Sequence, residues 1–319
     1  MMRLRLLAAL LWSCPLLAMA QMWPTRAVSI IVPNPAGGAA DVVARMFAND
    51  LASRLGKPFV IENRGGGSGN IGSGAVAKSQ PDGYTLLLTT TGPAAINRLI
   101  FKDLSYDPDR DLAPIGLLTK SSLIIVAGMS APVKDLRDVV SYSIANPGKL
   151  NVGIPGNGTI GHLSSELLQK TAGMQMTHVP YRGSAPLLTD LLGGQIDLSF
   201  GFITGYVAQV RDGKLRALAV TGAARSDKLP TVPTVQEQGF PNFEATAWYA
   251  LFAPAKTPVE IIFRANAAIN AFLQSEKGRQ QVNELDMQAV GGKPEELNGF
   301  IAGEVAKWGP IVRAMNLQP

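Results

Sequence analysis

Val28-Ser29-Ile30-Ile31-Val32-Pro33-Asn34-Pro35-Ala36-Gly37-Gly38-Ala39-Ala40-Asp41 is the stretch on which the fold turns. Val28 to Val32 is rich in β-branched residues and stops at a Pro/Gly turn, the pattern of a buried strand. From Asp41 to Leu55 the period changes. Val43, Phe47, Leu51 and Leu55 fall four apart, with Val42 and Met46 beside them, which marks one face of a helix. Gly56 and Pro58 stop it. Pro58 to Glu62 reads as the next strand, followed by a glycine-rich turn, a helical run from Asn70 to Lys78 and a strand from Tyr84 to Thr89. A β-α-β-α-β order implies a mostly parallel sheet covered by helices.

The pattern then restarts. Leu150 to Ile154 reads as a strand, Ile160 to Ala172 as a helix, Gln175 to Val179 as a strand, Ala185 to Leu192 as a helix and Ile196 to Phe200 as a strand. Leu123 to Val126 lies between the two halves and Trp248 to Phe252 follows the second. Both are apolar and extended, and both are expected to cross between lobes. From Thr257 the chain is helical again, with Ile261, Ile262, Ala265, Ala268, Ile269 and Phe272 spaced for one face. The expected fold class is therefore α/β with two lobes, each a mostly parallel sheet flanked by helices. Residues 21–122 and 248–319 would form a discontinuous first lobe, and residues 123–247 the second.

Composition agrees with this reading. At 319 residues the chain suits about two domains. A 46% hydrophobic share excludes disorder, and 33 Gly without a triplet period exclude collagen. Met1 to Arg5 carry two Arg, Leu6 to Leu17 form an apolar run, and Ala18-Met19-Ala20 is a small-x-small site. That is the layout of a secretory signal, expected to be cleaved after Ala20. A lipobox reading around Cys14 is disfavoured by bulky Trp12. Without Arg3 and Arg5 the formal charge falls from +5 to +3, too little for a nucleic-acid footprint by itself. Cys14 is the only cysteine, so the mature chain is expected to have no disulfide, no thiol nucleophile and no Cys-based metal site.

Three glycine-bearing turns follow expected strands: Pro35 to Asp41, Gly65 to Gly72, and Gly156 to Gly161. The first and third each join the first strand of a lobe to a helix. A helix start offers unpaired N–H groups and partial positive charge, and glycine admits a ligand to the backbone. Ligands of open α/β sheets sit at the carboxyl ends of strands, so two such turns would grip one small anion across a cleft. The alternative for any single turn is that glycine merely permits a tight bend. Two turns match G-x-G-x-x-G, but the first lies in the second βα unit of its lobe and the second has no acidic residue at the end of a following strand, so neither fits a dinucleotide site. No cofactor is expected.

Catalytic signatures are absent. His162 and His178 have no zinc-type spacing, no G-x-S-x-G elbow or P-loop occurs, and the acids are scattered. A triad assembled from distant parts remains the enzyme alternative, a secreted α/β enzyme acting on a small carboxylate. His162, in the first turn of its helix, is a candidate to line the cleft. Asp41 could form a salt bridge, cap its helix or touch a ligand amine. Asp197 could brace the cleft or end a strand. Tyr181, Arg182 and Gly183 follow a strand, and Arg182 offers either a cation for a carboxylate or a solvated surface charge. Asn34, Ala36, Gly37, Gly38, Thr90, Asn157, Gly158 and Thr159 complete the candidate set.

The series Ile31-Val32-Pro33, Gly37-Gly38 with Asp41, Glu62-Asn63-Arg64, Pro81 to Leu86, Gly158 with Gly161-His162-Leu163, His178 to Ser184, Asp190 to Phe200 and Leu229 to Thr234 resembles the Bug-type extracytoplasmic solute receptors of tripartite tricarboxylate transporters. The resemblance spans almost the whole mature chain. It implies a type II Venus-flytrap fold, a periplasmic location and a small carboxylate held by backbone amides and water rather than by Arg. It further implies a monomer with no enzymatic activity, serving membrane transporter subunits or a sensor kinase. Asn34 departs from the aromatic residue that many members carry there, which bears on the ligand's identity.

Overall fold

In the computed structural model, residues 23–315 are described; the signal segment and Cys14 lie outside them. The first half builds β1 (Val28–Val32), α1 (Ala39–Leu55), β2 (Phe59–Asn63), α2 (Asn70–Ala77) and β3 (Thr85–Thr90). Gly56 takes φ +73 at the end of α1, the left-handed cap its position suggested. After β3 comes a π-type turn (Gly92–Ile96) that runs into α3 (Asn97–Ile100), then α4 (Pro108–Asp111) and β4 (Leu112–Gly128). The second half builds α5 (Leu136–Ala145), β5 (Asn151–Ile154), α6 (Ile160–Ala172), β6 (Thr177–Pro180), α7 (Ser184–Leu192), β7 (Leu198–Phe202), α8 (Val207–Arg211) and β8 (Leu215–Val220). The chain closes with β9 (Thr246–Pro254), α9 (Val259–Gln274), α10 (Glu276–Glu284), β10 (Gln288–Ala289) and α11 (Pro294–Ala314). Among the described residues no helix is long and apolar enough to cross a membrane.

The expected α/β class is what is found. One sheet runs β2-β1-β3-β9-β4-β7-β5-β6, with β8 and β10 pairing on β4. Its two ends are parallel: β1 lies between β2 and β3, and β5 between β6 and β7. The middle is antiparallel, because β4 and β9 insert there against each other and against β3, β7 and β8. β4 is the strand that belongs to both lobes. Its residues from Leu112 to Ser122 pair with β9, and those from Leu123 onward pair with β7 and β8. The buried Thr221 hydroxyl staples this junction: it donates to Ala245 O (2.6 Å) and accepts from Leu123 N (2.9 Å).

Each half has its own core. Ile30, Val43, Phe47 and Leu86 pack with Phe272 of α9 in the first, while Val152, Leu163, Leu198 and Phe200 pack in the second. The last helix touches both halves. Leu297 and Ile301 of α11 pack with Trp248 and Leu87, and Trp308, Ile311 and Val312 join the core that holds Phe200. β7 begins at Leu198 and not at Ile196, because the turn from Gly193 runs on through Asp197. Helix α5, strand β8 and the turn at Gly92–Ile96 have no counterpart among the expected elements.

Candidate functional site

The loop from β1 to α1 leaves the sheet at Pro33. Gly37 adopts φ +80, and Gly38 is the N-cap without any side-chain cap. Asp41, 4% exposed, sits one turn in and holds the loop: its Oδ2 accepts from Gly37 N (3.0 Å) and Arg45 Nε (3.0 Å). The Arg45 guanidinium first, then the Gly37 amide, hold the Asp41 carboxyl below the usual carboxylate range. Asp41 therefore shapes the loop from behind.

The loop from β5 to α6 is built the same way from different parts. Gly156 and Gly158 take φ +142 and +72. Thr159 is the N-cap of α6, and its hydroxyl donates to Gly156 O (2.8 Å). Gly158 N–H donates to His162 Nδ1 at 3.2 Å. His162 is 6% exposed and stacks edge-on against His178, with ring centroids 4.5 Å apart. Glu166 Oε1 lies 3.3 Å from His178 Nδ1 and 3.9 Å from His162 Nε2, and Ser165 Oγ meets His178 Nε2 at 2.9 Å. With both imidazoles neutral, His162 protonated on Nε2 and His178 on Nδ1, the Gly158 N–H and the Ser165 hydroxyl donate to the free ring nitrogens and His178 Nδ1–H faces Glu166.

His162, Glu166 and His178 are the one group of metal-ligating type among the described residues, with ligand atoms within 4.8 Å of one another. A divalent ion there would need the lone pair of His162 Nε2, but the Gly158 N–H on Nδ1 selects the tautomer that carries its proton on Nε2. The trio reads as a buttress for the loop. Burial, helped by His178, pushes His162 down to about 4. The unfolded chain takes up that proton near pH 6.5, so between those values it holds more protons than the folded chain, and stability falls as pH drops. His178, also pushed down by burial, acts in the same sense. Glu166, pushed up by burial, opposes it while its own carboxylate titrates.

Two variants test the buttress. His162→Asn keeps an acceptor for Gly158 N–H and removes the titration, so its stability should depend less on pH below about 6.5. His162→Ala removes the acceptor and should cost about 1–3 kcal/mol at pH 7. Urea midpoints from pH 4 to 8 measure both. Equal losses in Asn and Ala variants would show that the acceptor does nothing.

The two loops meet at one cavity of about 680 Å³. Asn34, Pro35, Ala36, Gly37 and Gly38 form its first wall, and Gly158, Thr159, Ile160, Leu163 and Phe202 its second. Thr90, Thr91 and Gly92 from the end of β3, with Ala247 and Tyr249 of β9, also line it. Among the described residues, no Lys, Arg, His, Asp or Glu side chain lines it. An adjoining cavity of about 390 Å³ shares Asn34, Thr90, Gly92, Gly158 and Thr159 and adds Asn157 and Ser68. The second glycine turn, Gly65 to Gly72, braces this region: Asn97 Nδ2 donates to Ser68 O (3.0 Å) and Asn70 Oδ1 (2.6 Å).

Of the candidates read from the sequence, Asn34, Ala36, Gly37, Gly38, Thr90, Asn157, Gly158 and Thr159 thus border one continuous space. Asp41 and His162 stand behind its loops. Tyr181, Arg182, Gly183 and Asp197 line neither cavity. Tyr181 Oη donates to Asp190 Oδ2 (2.7 Å), and burial first, then that bond, push it up to about 12. Asp197 Oδ2 accepts from Asn151 N (2.8 Å) and ties β5 to the turn before β7. Thr91, Gly92, Phe202 and Tyr249 escaped the sequence pattern; a Gly-Pro pair directly after β3 is the one signal that points to Gly92.

A ligand space between two α/β lobes, with a glycine loop from each lobe on its wall, defines a solute-binding receptor of the two-lobed type. The chain belongs to the tripartite tricarboxylate transporter receptor family, whose model matches residues 43–317. It is 36% identical over 295 residues to protein BugT of Bordetella pertussis, an alignment covering 92% of this chain and 90% of BugT. Among solved structures it is similar to R. palustris Rpa4515 with adipate, at 37% identity and TM-score 0.79, covering 93% of this chain and 99% of that one. It is also similar to MatC from Rhodopseudomonas palustris with bound malate, at 33% identity and TM-score 0.74, covering 91% and 100%. The family is one of substrate-binding receptors, as the resemblance implied.

Proposed function

We propose that the protein captures a small organic carboxylate in this cleft, in the periplasm, and presents it to membrane transporter subunits. The observation that carries this reading is the convergence of the Gly37–Gly38 and Gly158–Thr159 loops on one cavity. The Gly37 and Gly158 amides are taken by Asp41 and His162, so the anion donors are the unpaired first-turn amides at the starts of α1 and α6, where none of the described lining residues is cationic. Asn34, Ala36, Gly37, Gly38, Thr90, Gly158 and Thr159 would meet the ligand, with Asn157 at the edge. Adipate and malate in related receptors support a carboxylate. Closure would be a hinge motion between residues 21–122 with 248–319 and residues 123–247, about the Ser122/Leu123 switch in β4 and the start of β9. The Arg-containing start and apolar run before Ala20 support export.

A thermal-shift screen of small mono-, di- and tricarboxylates tests the reading. A compound at about 100 times its Kd should add about 2.7 kcal/mol of stability. It should be recovered chemically unchanged after incubation. A flat response over the whole panel, or turnover of the bound acid, would count against a receptor for carboxylates.

A further inference from the structure

We infer that the acid this receptor selects has an apolar, ring-sized body behind its carboxylate, and that Phe202 selects it. The inference rests on the carboxylate reading above and specifies it. Phe202 ends β7 on the wall of the larger cavity and is 38% exposed, although large aromatic side chains elsewhere in this half, such as Phe200 and Phe243, are buried. Ile160 and Leu163 of α6, with Ile96 beyond β3, border the same space. An apolar wall left open inside a cleft is a surface for a ligand's body, and an aromatic ring favours a flat one.

Asn34, Thr90, Gly92, Gly158 and Thr159 line both cavities, while Phe202, Ile160 and Leu163 border the larger one together with Gly37, Gly38, Thr91 and Tyr249. A carboxylate held between the Gly37–Gly38 and Gly158–Thr159 loops sits in the larger cavity, with the rest of the molecule beside Phe202, Ile160 and Leu163. A compact polyanion would need its second and third carboxylates desolvated against the apolar wall. The lining offers no Lys, Arg or His to compensate them.

The test is calorimetry on the full mature chain with benzoate and phenylacetate set against malate and citrate. Wild type should bind the aromatic acids about tenfold or more tightly than the other two. Phe202→Ala should remove about tenfold of aromatic-acid affinity, and Phe202→Leu, which keeps an apolar wall, should remove less. Because Phe202 is partly exposed, melting of both unliganded variants confirms that they fold. Tighter binding of malate or citrate, or a preference untouched by Phe202→Ala, overturns the inference and leaves the carboxylate reading standing. A chain that binds none of the four overturns the inference, and a flat response over the wider carboxylate panel as well removes the reading beneath it.

Discussion

Glu304→Ala is expected to cost about 3–5 kcal/mol and to lower the melting temperature by about 6–12 °C. Glu304 is 4% exposed in the middle of α11. Its Oε2 accepts from Trp248 Nε1 at 2.9 Å and from Trp308 Nε1 at 3.0 Å, and its Oε1 is paired with Lys307 Nζ. Trp248 and Trp308 are both fully buried, one in the core around β9 and one in the core of the second half. Truncation leaves two indole donors buried without an acceptor, each a loss of about 1–3 kcal/mol, and opens a void beside them. Glu304→Gln keeps an acceptor and most of the volume, so it should lose clearly less. Thermal unfolding followed by circular dichroism reads the effect. A Glu304→Ala shift below about 1 °C would mean that water replaces the carboxylate at no cost.

The parts of the fold that were readable are those where local pattern and tertiary packing agree. In α1, Val43, Phe47 and Leu51 lie four apart and all three are buried against the first core, so the period reported the buried face. Helix α6 has the expected ends, Ile160 and Ala172, because Thr159 caps one and Gly173, at φ +63, closes the other. The turn after β3 was not readable because Pro93 looks like a break. It sits instead in the first turn of a helical segment, where its missing N–H is harmless.

Site residues split along another line. Glycines at strand ends are legible because the backbone itself forms the wall, and Asn34, Thr90, Asn157 and Thr159 come with those turns, whereas polar side chains away from them are not legible. Nothing local tells that Asp197 turns back to Asn151 N, or that Tyr181 is taken by Asp190. Phe202 is illegible for the opposite reason. Gly201 looks like the end of a strand, yet β7 continues through it, and the residue beyond reaches the cleft.

Gly161→Ala is expected to weaken carboxylate binding about tenfold or more and to cost about 1–3 kcal/mol. Gly161 lies in the first turn of α6, where the helix rests directly on β7. A Cβ there would stand 2.5 Å from the carbonyl oxygen of Phe200, and backbone cannot rotate aside as a side chain could. The start of α6 must therefore lift. Gly158 and Thr159, which precede it, would be displaced from the cavity wall, and the Gly158–His162 bond that shapes their loop would be strained. Phe202 is two residues beyond the carbonyl that receives the clash, so both sides of the second-lobe wall are disturbed together. Gly299→Ala is the matched control. Gly299 lies in α11, and a methyl added there meets nothing within 4 Å, so alanine should leave binding unchanged and add about 0.5–1 kcal/mol through helix propensity. The comparison uses whichever carboxylate binds wild type most tightly, with affinities by calorimetry and stabilities by urea titration. If Gly161→Ala bound and unfolded like wild type, close contact between α6 and β7 would not be what sets the second wall of the cleft.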